Sequence, residues 1–175
     1  MKSSVTLIFS RHKEGGICTA NALLQIIKVV NPDVIFEELS HALYKEAYAE
    51  KKLNNLESVA IRKYLEAHEV KHIPVDTYPR TSQYNEDQSE LNHMLTYSAG
   101  NDSFQLRVFI DKVEAFIHQY GFAYLNDKAN DENITKMEVL RNKALNKLDD
   151  QKLNELYRLD QEVILKREDV MLDNV

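Results

Sequence analysis

The chain has 175 residues, 43% hydrophobic and 29% charged, which suits about one soluble globular domain with a core that needs no staples. A net charge of −6 supplies no electrostatic footprint for nucleic acid and argues against anionic membrane surfaces. With one cysteine, Cys18, no intrachain disulfide can form, and no apolar run nears the ~20 residues of a membrane span, so a reducing, cytoplasmic setting is expected.

Three short apolar runs rich in β-branched residues read as strands: Val5–Phe9, Val34–Phe36 and Ile73–Val75. Each ends in a polar cluster: Ser10-Arg11-His12, Glu37-Glu38 and Asp76. Helical patterns lie between them. Gly15-Gly16 reads as an ordinary turn into a helix over about 17–30, because neither a GxGxxG nor a Walker pattern is present. Ala20, Leu23, Leu24, Ile27 and Val30 form that helix's apolar stripe, and Asn31-Pro32 ends it. Further helices are expected over about 40–52 and 54–69, the second opened by an Asn54/Glu57 capping box. Strands alternating with helices predict right-handed crossovers and a parallel sheet.

Beyond Asp76 the character changes. Residues 77–90 are polar and contain Pro79, so a loop or flap is expected. Helices are predicted over about 90–98, 102–121, 134–148 and 151–172, with a loop over 122–133 anchored by Phe122, Tyr124 and Leu125. The fold class is therefore α/β: a short parallel sheet with βαβ crossovers, then a helix-rich C-terminal half packed on it within one domain. On the apolar face of the last helix sit Asp160, Arg167 and Asn174, spaced by sevens. Inward polar groups need partners, and Arg167 is expected to reach Glu37, Glu38 or Asp76.

In a parallel sheet the carboxyl ends share one edge, where ligands bind. His12, Glu37 and Glu38 are therefore the candidate catalytic residues, with Arg11, Asp76 and Arg167 as substrate contacts. A carboxylate there can orient the imidazole, activate water or ligate a divalent metal, for which His12 and Glu38 are the candidate ligands. His68-Glu69-Val70-Lys71-His72 matches H-E-x-x-H, but Pro74 makes the second His the start of a strand rather than part of a continuous helix. His41, His93 and His118 fall within helical patterns and read as surface or core residues.

The stretches VTLIFSRHKEGG, NPDVIFEEL and HIPVDTYP resemble the superfamily containing TraB/Tiki proteins, erythromycin esterase and ChaN. REDVMLDN, with Arg167, Met171 and Asn174, resembles the helix near the middle of those proteins. The resemblance implies a hydrolase acting on an ester or amide, with a divalent metal as the cofactor to consider. Its ChaN branch implies a haem-binding alternative, and a catalytically inert interaction domain is the third class. Here Phe9-Ser10-Arg11-His12 stands where the family has G-x-x-H. Family members also continue to a strand with a second His, which this sequence, ending at Val175, does not reach. A small-molecule or peptide ligand is the expected partner.

Overall fold

The computed structural model describes residues 4–77 and 81–175. Over these residues it is mostly helical, with one two-stranded parallel sheet: an α/β mix in which helix dominates. The chain first forms α1 (Ala20–Val30). Thr19 caps it by accepting a hydrogen bond from Ala22 N, and Asn31 ends it in a left-handed conformation. Strand β1 (Val34–Glu37) follows, then α2 (His41–Tyr44), which runs into a π-helical turn over Lys45–Ala49. Helix α3 (Leu56–Leu65) leads into β2 (Lys71–Pro74). The strands pair from Val34↔Lys71 to Glu37↔Pro74, and Val75 N→Glu37 O and Asp76 N→Leu39 O carry the pairing two bonds further. This is one βαβ crossover, as the alternation of patterns predicts.

The expected first strand does not form. Residues 4–14 make no ladder, and Val5, Leu7 and Phe9 are exposed by 83%, 75% and 51%. The Asn126 side chain takes the place of a neighbouring strand at Phe9: it accepts from the backbone N–H and donates to the carbonyl. Strand propensity was present in Val5–Phe9, but it reflects fit to a half-buried pleated surface, and of this run only Ile8 packs against the core.

The second half contains α4 (Ser82–Tyr97), α5 (Asn101–Tyr120), α6 (Phe122–Leu125), α7 (Lys128–Leu148) and α8 (Gln151–Asp173). The loop expected over 77–90 is thus helix from Ser82, started by Thr81, whose hydroxyl accepts from Tyr84 N. Pro79, on which that expectation rested, lies outside the described residues. The loop expected over 122–133 is likewise α6 and the opening six residues of α7, which Asp127 caps. Phe122, Tyr124 and Leu125 are buried, as anchors should be. Gly121, at φ +58°, separates α5 from α6 in a conformation that a side chain would strain.

Two apolar clusters form the core. One joins α1, α3 and α6 through Leu23, Ile27, Ala60, Tyr64 and Phe122. The other joins α4, α5, α7 and α8 through Leu91, Leu95, Leu106, Leu145 and Leu153. Leu91, Leu95 and Leu106 are essentially inaccessible, each contributing about 1.5–3 kcal/mol by burial. Among the described residues no helix is long and apolar enough to cross a membrane.

Candidate functional site

The loop Arg11–Gly16 and the start of α3 meet at an open cleft of about 410 Å³, lined by His12, Lys13, Glu14, Ala20, Asn54, Asn55, Leu56 and Val59. Backbone contacts fix the loop. Leu56 N, a donor with no partner inside α3, bonds to His12 O, and Ile17 N bonds to His118 O. Gly16 (φ +56°) packs so closely on the His118 carbonyl that a Cβ there would lie 2.0 Å from its oxygen. At the start of α1 the Glu14 carboxylate accepts from Ala20 N.

His12 stands at this cleft with its side chain 71% exposed, and its Nδ1 lies 3.2 and 3.3 Å from the two carboxylate oxygens of Glu57. Glu57, in the first turn of α3, is only 14% exposed and also accepts from Ser10 Oγ at 2.8 Å. Burial alone would push its carboxyl up. Hydrogen bonds from His12, its own backbone and Ser10 outweigh that, so it lies below the ordinary value. The positive end of α3 acts in the same direction. The carboxylate beside His12 is therefore that of Glu57, and not Glu37 or Glu38, with which the sequence reading grouped it. Asn55 is the actual N-cap, accepting from Ser58 N, while Asn54 accepts from Arg62 Nη2. That leaves Glu57 outside the expected capping box and available to His12.

Glu37 belongs to a second, buried network. It accepts from Tyr48 Oη at 2.8 Å, from His72 Nε2 at 2.9 Å and, at 3.5 Å, from Ser58 Oγ. Its side chain is 5% exposed and that of His72 is 3% exposed. The rings of Tyr44 and Tyr48 flank His72 at centroid distances of 5.0 and 4.5 Å. Burial, then the Glu37 charge, push the Tyr48 phenol strongly up. His72 Nδ1 is buried with no hydrogen-bond partner. His68 bonds through Nδ1 to Tyr64 O and stacks on the Tyr64 ring. The helix stops at Leu65 and His72 lies in β2, so the two imidazoles of the H-E-x-x-H match do not share a helical face.

At the carboxyl edge of the sheet, α8 places Arg167. Its Nε and Nη2 donate to the two Asp76 oxygens at 3.0 and 2.7 Å, and Nη2 also donates to Glu38 at 2.8 Å. These carboxylates push the already high guanidinium pKa up further, with the Asp76 hydrogen bonds leading. Asn174 Nδ2 donates to Val75 O, and Asp160 accepts from Tyr84 Oη. Each of the three polar residues spaced by sevens thus has a partner. Arg11 takes no part in this cluster: its Nη2 lies 2.8 Å from Glu114 on α5, and its Nη1 is buried without a partner.

The six residues singled out from the sequence therefore divide. Glu38, Asp76 and Arg167 come together; His12, Glu37 and Arg11 each join other residues. Glu57, Ser58, Tyr48 and His72 were missed. The available signal was Glu57's place in the first turn of a helix, where carboxylates face the loop that precedes it. His12 and Glu38, the candidate metal ligands, stand in different clusters, one with Glu57 and the other with Arg167. Among the described residues no group of three His, Cys, Asp or Glu side chains is arranged to hold a metal ion. Compared with family models, with curated proteins and with solved structures, the chain matches none.

Proposed function

We propose that this protein is a hydrolase-like domain that cleaves a small ester or amide, with His12 as general base and Glu57 as its positioning residue. The observation that carries this reading is the exposed imidazole held at a cleft by a mostly buried carboxylate. With Nδ1–H donated to Glu57, Nε2 carries the basic lone pair. Nε2 takes a proton from water as the water oxygen bonds to the substrate carbonyl carbon. When the tetrahedral intermediate collapses, the bond to the leaving group breaks and Nε2 returns that proton to it. Glu57 holds the ring and stabilises the imidazolium between the two steps. The resemblance to the TraB/Tiki, erythromycin esterase and ChaN superfamily supports ester or amide hydrolysis as the reaction class. In this reading Glu37 and Glu38 are structural, the first holding His72 and the second Arg167.

Hydrolysis of 4-nitrophenyl butyrate by wild type, His12→Asn and Glu57→Gln tests it. General-base catalysis typically supplies ~10²–10⁴-fold, so His12→Asn should lose at least about 100-fold and Glu57→Gln somewhat less, with melting curves showing both variants folded. Equal turnover by wild type and folded His12→Asn would overturn the assignment.

A second reading, a non-catalytic ligand-binding or interaction domain, is favoured by one observation. The carboxyl edge of the sheet, where such folds usually bind ligands, is occupied by the chain's own Arg167. Wild type that binds a small ligand but shows no turnover above buffer would select it.

A further inference from the structure

The charged loop over the cleft contains Arg11, His12, Lys13 and Glu14 in succession, and the internal partners of these residues differ. Arg11 is held by Glu114 and His12 by Glu57. The Glu14 carboxylate is turned to the start of α1, where it accepts from Ala20 N. Lys13 is exposed and forms no ion pair among the described residues. The polar side chains across the cleft are engaged too: Asn54 accepts from Arg62 and Asn55 from Ser58 N. Ala20, Leu56 and Val59 supply apolar lining. The cleft thus combines a short apolar wall, an oriented imidazole and one cation, Lys13, that forms no ion pair among the described residues. Its size is that of a small-molecule site, not of a macromolecular groove.

Resting on the reading of His12 as the base of this cleft, we infer that the ligand is a small carboxylate-bearing acyl compound, its acyl chain against Leu56 and Val59 and its anionic end at Lys13. Glu14 and Glu57 oppose an anion, but the first faces the positive end of α1 and the second is turned to His12 and Ser10, and each is offset there.

The test compares two esters of similar length, mono-4-nitrophenyl glutarate and 4-nitrophenyl pentanoate, with amide-shift titrations by sodium pentanoate and by pentan-1-ol. The expected wild-type kcat/KM favours the anionic ester by about fivefold, as for a partly exposed ion pair. Lys13→Met should bring that ratio to about one, and Lys13→Glu should invert it. Pentanoate, and not pentanol, should shift the amides of Lys13, Leu56 and Val59. Equal turnover of both esters with no effect of Lys13 would overturn the inference while leaving hydrolysis standing. Pentanoate binding without turnover of either ester would overturn hydrolysis and leave the ligand class standing. Neither binding nor turnover would remove both.

Discussion

Glu57 and Ser58 are consecutive on α3, yet they serve different networks, one reaching His12 and the other Glu37. Successive helical side chains diverge by about 100°, so one helix start can hold an exposed imidazole and close over a buried one. Because the Glu57 carboxyl lies below its ordinary value of 4.5, the folded state favours its ionised form. That contribution is complete above this value and is lost as pH falls through the folded value. Denaturant melts at pH 7 and pH 3 should show wild type more stable than Glu57→Gln at the higher pH, with the difference shrinking in acid. A difference independent of pH would mean that the carboxylate charge contributes nothing. At the buried network, Tyr48→Phe removes a donor from Glu37 and should cost about 1–3 kcal/mol. Little of this was legible beforehand. His12 and Glu37 stood out as polar residues after apolar runs, but their partners come from α3, the π-helical turn and β2, whose relative placement no local pattern encodes.

The elements with strong periodicity were legible, and those without it were not. α5 carries apolar residues at helical spacing and ends near Gly121, as its sequence predicts. The second half of α4, with Leu91, Met94 and Leu95 at helical spacing, was expected as a helix over 90–98, while its first half, 82–89, has no apolar stripe and was read as a loop. The polar residues spaced by sevens on α8 were the most informative pattern, because an inward arginine must find acids. Asp76 is 14% exposed and Glu38 57%, so Arg167→Met strands one mostly buried carboxylate and one that water can reach. The loss should be about 2–4 kcal/mol, somewhat below that of a fully buried pair. A change within about 0.5 kcal/mol in denaturant melts would show the clamp to be dispensable.

At the scale of the whole molecule, α8 fastens the helical half to the sheet through Arg167 and Asn174, while Asn126 fastens the N-terminal segment to the turn after α6. Among the described residues the sheet has two strands, and Phe9 bonds to the Asn126 side chain rather than to a neighbouring strand. The consequence for function is that the carboxyl edge is filled by the protein itself, and the oriented histidine faces a cleft at the start of α3 instead. The most direct measurement of that claim is the imidazole tautomer, read from long-range ¹H–¹⁵N correlations of the histidine rings above neutral pH. The account predicts His12 with its proton on Nδ1, the less common form, reverting to the Nε2–H form in Glu57→Gln, and His72 with its proton on Nε2. A His12 ring already in the Nε2–H form in wild type, and unchanged in Glu57→Gln, would contradict it.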